Sequence, residues 1–117
     1  MKNFKSTVFT SAIASISLLF GAAAFAAEKP TVLLVHGAFA ESSSWNGVVA
    51  ELQQQGYPVI AVANPLRSVK TDAAYLSDIV AQTQGLVLLV GHSYGGSVIS
   101  NVTADTSKVK ALVYVAA

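Results

Sequence analysis

The chain has 117 residues, of which 53% are hydrophobic and 11% charged, with no cysteine and a formal net charge of +1. This length allows one small domain, and the apolar composition is typical of an ordered globular chain. The lack of cysteine excludes disulfides and thiolate metal sites, and the lack of a basic run gives no indication of a nucleic-acid partner.

Residues 1–26 have the pattern of a secretory signal peptide. Lys2 and Lys5 form a positive start, residues 6–27 carry no charge, and Ala24 to Ala26 has the small-x-small form of a cleavage site. An uncleaved membrane anchor is the alternative, because an uncharged stretch of this length can just cross a bilayer. Serine, threonine and alanine dilute its hydrophobicity. We therefore predict cleavage and a periplasmic or secreted mature chain, residues 27–117, with no stable membrane span.

Four apolar runs in the mature chain are predicted to be β-strands. They are Thr31–His36, Val59–Asn64, Leu86–Gly91 and Val109–Ala117. Their near-continuous Val, Leu and Ile content indicates burial on both faces, which is typical of a parallel sheet. Lys108 and Lys110, at the start of the last run, are expected to face solvent, and Asp105 is expected to be a solvated loop acid.

A segment whose apolar residues have helical spacing lies between the first two runs. The apolar positions of this first predicted helix are Trp45, Val48, Val49 and Leu52. They fall on one helical face, so Trp45 is expected to belong to the core. Ser43 or Ser44 is a candidate N-cap, and Gly56 is placed to end the helix.

Two further helices are predicted between the later runs. Leu76, Ile79, Val80 and Thr83 form the apolar face of the second. Thr71 is its expected N-cap, with Asp72 near the positive end of the helix dipole. The third is predicted from about Tyr94 to Thr103 or a little beyond. The strand–helix–strand alternation predicts right-handed crossovers and a partial doubly wound α/β sheet of four strands and about three helices.

The segment Gly91–Gly95 (GHSYG) matches the G-x-S-x-G nucleophile elbow. In such an elbow a strained strand-to-helix turn lifts the serine hydroxyl, here that of Ser93, above the sheet. The residues two before and two after the serine approach closely, where a Cβ would clash. Gly96 is expected to add room where the helix packs on the strand. The predicted strand and helix supply the context that the motif requires; a glycine-rich turn without chemistry is the alternative.

The loop His36–Phe39 (HGAF), which we call the oxyanion loop, follows the first mature strand. Sites in open α/β sheets form at the carboxyl ends of strands where the strand order reverses. The strands ending at His36 and Gly91 are expected to be neighbours there. The backbone amides of Ala38 and Tyr94 could then converge on a substrate oxygen and form an oxyanion hole.

These two motifs, with the N-P-L-R segment at Asn64–Arg67, resemble the serine-hydrolase branch of the α/β-hydrolase superfamily. Within it they are most similar to the small esterases related to plant methyl esterases and hydroxynitrile lyases. The resemblance covers Thr31 to Ala117. It implies Ser93 as the nucleophile, the Ala38 and Tyr94 amides as the oxyanion hole, and the strand order 4-3-5-6 of an eight-stranded sheet.

The same resemblance implies a catalytic acid and a histidine after later strands, in the order Ser, Asp/Glu, His. No histidine follows Ser93 in this chain. We therefore expect an N-terminal part of the domain, truncated after the sixth family strand. On its own it is expected to be nearly inactive and, because its last strand is exposed, poorly soluble.

The remaining candidate residues are given structural roles. His36, Asp72 and Ser93 occur in the chymotrypsin order, but that arrangement belongs to a β-barrel, so His36 is expected to tie down the oxyanion loop together with Gly37. His92 is expected to pack or to line the pocket. Phe39 either lines the pocket or packs against the protein, and both interpretations stay open.

The sequence thus predicts a serine hydrolase acting on a small-molecule ester or similar acyl substrate. Two histidines without cysteine or a nearby carboxylate pair indicate no metal site, and no cofactor is predicted. Two alternatives remain: a lyase that cleaves a cyanohydrin with the same residues, and a ligand-binding relative without activity.

Overall fold

The structure is a computed structural model that describes residues 27–103 and 105–117. The predicted signal peptide, residues 1–26, lies outside the described residues. Within the described part of the chain, no helix is long and apolar enough to cross a membrane.

Four parallel strands form one sheet, in the order β2-β1-β3-β4. They are β1 (Thr31–Val35), β2 (Val59–Val62), β3 (Val87–His92) and β4 (Val109–Val115). Val35, at the end of β1, pairs with Val62 on one side and with Gly91 on the other. The predicted neighbourhood of β1 and β3 is therefore confirmed, and the order agrees with the order 4-3-5-6 that the resemblance implies.

Helices cover both faces of the sheet, which confirms the predicted doubly wound α/β class. They are α1 (Asn46–Gln54), α2 (Val69–Gln82) and α3 (Tyr94–Ser100). Successive side chains of a strand point to opposite faces. Accordingly, Leu33 of β1 belongs to the core cluster with α2 and α3, whereas Leu34 belongs to the cluster with Trp45 and the partly buried face of α1. Both leucines are fully buried, so β1 is the centre of the fold.

The last strand is apolar in composition but exposed, which confirms the exposure expected for it. Leu112, Val113, Tyr114 and Val115 are each 40–49% exposed, so the burial on both faces that their composition indicates is not found for β4. Among the strands that the structure describes, β4 pairs only with β3, and its composition alone does not supply the layers that bury a strand. Apolar content indicates which strands favour burial, whereas the neighbouring elements decide whether burial occurs.

The N-terminal boundaries of the first two helices also differ from expectation. A 3₁₀ turn at Ser42–Trp45 precedes α1, and neither Ser43 nor Ser44 caps the helix; the Ser44 hydroxyl donates to the Glu41 carbonyl oxygen instead. Because this turn changes the helical register, Trp45 is buried but Val48 is 41% exposed. Gly56, with φ of +78°, ends α1 as predicted.

The second helix begins one turn earlier than predicted. Ser68 is its N-cap and accepts a hydrogen bond from the backbone amide of Thr71, which lies in the first turn. Thr71 is therefore not the cap.

The third helix, α3, ends at Ser100 rather than at Thr103. Asp105 is exposed as predicted, and it caps the short 3₁₀ turn that follows.

The prediction that Lys108 faces solvent is wrong. Its Nζ donates to the carbonyl oxygens of Val80 (2.9 Å), Ala81 (3.2 Å) and Thr83 at the end of α2. The last carbonyls of a helix lack intrahelical partners and carry partial negative charge, so a lysine ammonium stabilises them. The lysine joins the start of β4 to a helix on one face of the sheet.

We expect Lys108→Met to lower the free energy of unfolding by about 1–2 kcal/mol, because hydrogen bonds to a charged group are lost while the apolar stem is kept. The matched control is Lys110→Met, since Lys110 is exposed. Urea denaturation of both variants measures the difference. Equal small effects would show that Lys108 does not hold the end of α2.

Candidate active site

Ser93 lies in the sharp turn between β3 and α3. Its backbone angles are φ 50° and ψ −121°. Residues other than glycine rarely adopt this conformation, which costs on the order of 1–3 kcal/mol. The Ser93 side chain is exposed. Its amide donates to the Val115 carbonyl oxygen (3.0 Å) and its carbonyl accepts from the Gly96 amide (2.9 Å). The backbone of the elbow is therefore held by β4 on one side and by the start of α3 on the other.

Glycines are required where the elbow packs. A Cβ on Gly91 would lie 2.5 Å from the Gly95 carbonyl oxygen and 2.7 Å from the Gly96 amide nitrogen. The expected close approach across the elbow is therefore found at Gly91. A Cβ on Gly95 would instead overlap the carbonyl oxygen of Val35 in β1, and one on Gly96 would overlap Ala117, just after β4. Gly96 thus makes room for the segment after β4 rather than for β3.

The oxyanion loop touches the elbow directly. A Cβ on Gly37 would lie 3.1 Å from His92 Nδ1 and 3.2 Å from Ser93 Cβ. Within residues 27–103 and 105–117, neither the amide of Ala38 nor that of Tyr94 donates to a protein acceptor. Two unpaired donors therefore lie in the two segments that meet at Ser93.

His36 holds the oxyanion loop through both of its ring nitrogens. The side chain is only 3% exposed. Nε2 accepts a hydrogen bond from the Asn64 amide (3.0 Å), so Nδ1 carries the proton and donates to the Gly37 carbonyl oxygen (2.9 Å). The Asn64 side chain donates in turn to the His36 carbonyl oxygen (3.2 Å). Neither nitrogen is free to accept the Ser93 proton, and the ring links the start of the loop to Asn64.

The aromatic residues near the elbow differ in their surroundings. The rings of Trp45 and His92 meet edge to face, with centroids 6.4 Å apart. Trp45 is buried as predicted, and His92 lies between this ring and the oxyanion loop. Phe39, in contrast, is fully exposed and does not pack into the core. Its aromatic surface is available beside Ala38.

A hydrogen bond that the sequence did not predict links Asp72 to the elbow. Asp72 lies in the first turn of α2 and is 1% exposed. Its Oδ1 accepts from the Arg67 amide (3.1 Å), and its Oδ2 accepts from the Tyr94 hydroxyl (2.6 Å). The two side chains are 22 positions apart. No local signal in the sequence indicates such a pair. The only interaction predicted for Asp72 was with the positive end of the helix dipole.

Comparison with known proteins identifies the family. The family model described as "Alpha/beta hydrolase family" matches residues 32–117. This chain belongs to the α/β-hydrolase family. The match begins in β1 and includes the oxyanion loop, the elbow and β4.

Individual relatives agree with this assignment. The α/β-hydrolase nvfD of Aspergillus novofumigatus is 30% identical over 90 residues, which cover 68% of this chain and 36% of that protein. A pyrethroid hydrolase from Sphingobium faniae is 28% identical, with a TM-score of 0.66, over 74% of this chain and 39% of that one. An extracellular α/β-hydrolase from a Paenibacillus species is 25% identical, with a TM-score of 0.63, over 73% and 39%.

The resemblance to plant enzymes is also found. Tomato methylketone synthase I is 27% identical, with a TM-score of 0.62, over 74% of this chain and 39% of that one. This α/β-hydrolase chain thus spans less than half of the length of the relatives it matches.

The described part of this α/β-hydrolase gives no basis for a metal centre. Among residues 27–103 and 105–117, no three His, Asp or Glu side chains come together as a metal ion would require. The segments that meet at Ser93 instead carry the unpaired backbone amides of Ala38 and Tyr94, which suit an uncharged or anionic oxygen of an organic ligand.

The Asp72–Tyr94 pair gives this α/β-hydrolase a pH dependence. The hydrogen bond to Asp72, followed by burial and the charge of that carboxylate, raises the pKa of Tyr94 to about 12 from its ordinary 10.0. Because the folded-state pKa lies above the unfolded one, the pair stabilises fully below pH 10 and this contribution is lost as the pH rises through about 12.

We therefore expect the free energy of unfolding to fall more steeply over that pH interval in the natural protein than in Tyr94→Phe, which lacks the phenol. Urea denaturation at several pH values measures both slopes. Parallel slopes would contradict the assigned link.

Proposed function

We propose that the complete protein hydrolyses an ester or a similar acyl substrate, with Ser93 as the nucleophile. The observation that carries this proposal is the backbone of Ser93, which combines a φ of 50° with an exposed side chain at the end of β3. Strained residues persist only where the surrounding structure imposes the strain, and they cluster at functional sites. Family membership supports the same reaction class.

The proposed reaction uses the two segments that meet at the elbow. Ser93 Oγ attacks the substrate carbonyl carbon, and the oxygen of the tetrahedral intermediate accepts hydrogen bonds from the amides of Ala38 and Tyr94. A general base takes the Ser93 proton and gives it to the alcohol or other leaving group as that group departs. Water then hydrolyses the acyl-serine, which releases the carboxylic acid and restores the Ser93 hydroxyl. Because His36 and Asn64 fix the oxyanion loop before substrate binds, the Ala38 amide needs little reorganisation.

The general base for Ser93 is proposed to lie outside the described residues. Within residues 27–103 and 105–117, no side chain hydrogen-bonds the Ser93 hydroxyl, and both nitrogens of His36 are engaged by the backbone. We therefore propose that residues 27–117 alone are nearly inactive. Loss of a serine's partners lowers turnover by about 10⁴- to 10⁶-fold in serine proteases.

The exposed ring of Phe39 supports a proposal about the substrate. It adjoins Ala38, one of the two proposed oxyanion donors, and is fully exposed. We propose that Phe39 contacts an apolar part of a small-molecule substrate near its carbonyl group. An exposed aromatic ring offers apolar surface to a ligand bound beside it.

Turnover assays on the complete protein test the reaction class. A panel of small esters is the main substrate set, and a cyanohydrin tests the lyase alternative, which the sequence left open. Ester hydrolysis supports the proposal. Cyanide release without ester hydrolysis would favour the lyase, and a folded protein with neither activity would favour a ligand-binding relative.

We also propose that residues 1–26 are removed on export, which would place the mature chain in the periplasm or outside the cell. The charge pattern and the Ala24 to Ala26 segment support this proposal. The intact mass of the protein recovered from the exported fraction tests it. A mass that still includes these residues would contradict cleavage.

A further inference from the structure

We propose that Asp72 is a positioning residue for the oxyanion hole. Its hydrogen bond to the Tyr94 hydroxyl fixes the peptide between Ser93 and Tyr94, whose N–H is one of the two proposed oxyanion donors. This inference rests on the proposed function, because it concerns the same site. It adds a residue that lies on another helix and does not touch the substrate.

The local sequence cannot by itself hold Tyr94 in place. α3 has seven residues, and Gly95 and Gly96 occupy its second and third positions. Glycine is a poor helix former, and helices this short are not stable on their own. Ser93 gives no side-chain cap to the helix. The orientation of the Tyr94 amide must therefore be set by tertiary contacts.

Asp72 offers such a contact from a more rigid element. α2 has 14 residues, is capped by Ser68 and buries Leu76 and Val80 in the core. The bond from the Arg67 amide orients the carboxylate of Asp72, which leaves Oδ2 directed to the Tyr94 hydroxyl. A tyrosine ring has only two side-chain torsions, so fixing its hydroxyl also restrains its backbone.

The burial of this carboxylate supports a role beyond stability. An ionised group that is 1% exposed is costly to remove from water even when both oxygens are hydrogen-bonded. A neutral or apolar pair of side chains of similar volume often makes a protein at least as stable. The short charge-assisted bond instead gives a defined geometry to the residue after Ser93.

The test measures how fast Ser93 of the complete protein reacts with a fluorophosphonate, since the phosphoryl oxygen of this probe would occupy the oxyanion hole. The variants are Tyr94→Phe, Asp72→Asn and the double variant. We expect each single variant to react roughly tenfold more slowly, because small displacements of catalytic groups have effects of this order or larger. The double variant should react no more slowly than the slower single variant, because both changes remove one link.

Ser77→Ala is the matched control. Ser77 is also buried in α2, and its hydroxyl joins Ala73 to the amide of Thr103, away from the elbow. This variant should unfold more easily but react with the probe at the natural rate. Natural reaction rates in both Tyr94→Phe and Asp72→Asn, or fully multiplicative slowing in the double variant, would overturn the positioning role.

A second readout separates this inference from the proposed function. If the natural protein does not react with the probe, the nucleophile proposal fails. The Tyr94 amide can still be followed by hydrogen exchange and by its nuclear magnetic resonance signal. Asp72→Asn and Tyr94→Phe should shift that signal and speed exchange, whereas Ser77→Ala should not. An unchanged amide in the first two variants would overturn the inference on its own.

Discussion

Replacing Ser93 with alanine is expected to lower ester turnover by the complete protein by about 10⁶-fold, the scale seen when a catalytic serine is removed from a serine protease. The reason is the loss of the only group proposed to form the acyl intermediate. The side chain is exposed, and no described residue hydrogen-bonds its hydroxyl, so the free energy of unfolding should hardly change. Initial rates with an ester, together with urea denaturation, measure both effects.

Ser97→Ala is the control for this change. Ser97 lies on α3, four positions after Ser93, and its side chain is exposed. Turnover and stability should both stay close to those of the natural protein. If Ser93→Ala retained most of its activity while Ser97→Ala lost it, the proposed nucleophile would be wrong.

Ser93→Gly separates strain from chemistry at the same position. Glycine adopts positive φ without steric strain, so we expect this variant to be inactive but more stable by about 1 kcal/mol. Equal stability of the glycine and alanine variants would show that the bend stores little strain.

Replacing Gly91 with alanine is expected to have the second largest effect, on stability as well as activity. The new Cβ would lie 2.5 Å from the Gly95 carbonyl oxygen and 2.6 Å from the carbonyl carbon of the same residue. Both are backbone atoms, and they cannot move away unless the elbow opens. We expect a loss of about 3 kcal/mol in the free energy of unfolding, at the upper end of the usual range for overpacking. Turnover should fall about 100-fold or more, because Ser93 is displaced.

Gly47→Ala is the matched glycine control. Gly47 lies in α1, and a Cβ there would meet no atom within 4 Å. Alanine is the better helix former, so this variant should gain about 0.5–1 kcal/mol with unchanged turnover. Urea denaturation of the two variants gives the comparison. Similar stabilities would contradict the tight packing of the elbow.

The features that the sequence predicted are those with local causes. The apolar runs located all four strands within a few residues, and the glycines at 91 and 95 indicated a turn around Ser93. The sequence did not predict the close fit of Gly95 against β1, because the atom that Gly95 approaches is the Val35 carbonyl oxygen rather than an atom of Gly91. Periodicity and turn chemistry report on a residue's own segment, and they do not identify which distant backbone it meets.

The features that the sequence missed depend on contacts between elements. Lys108 has a partner 25–28 positions earlier in the chain, and Asp72 has one 22 positions later. Composition assigned both charged residues to solvent or to their own helix, which is the usual outcome for such residues. The composition of β4 indicated burial, and its exposure was expected only from the resemblance to a longer family domain, since a strand's composition does not reveal whether a further layer covers it.

The most direct measurement of the central claim is covalent labelling of the complete, folded protein with a fluorophosphonate, followed by peptide mass spectrometry. The strained, exposed hydroxyl at the end of β3 predicts a single adduct, located on Ser93. A folded protein that acquires no adduct, or one that is modified at another serine, would contradict the assignment of Ser93 as the nucleophile.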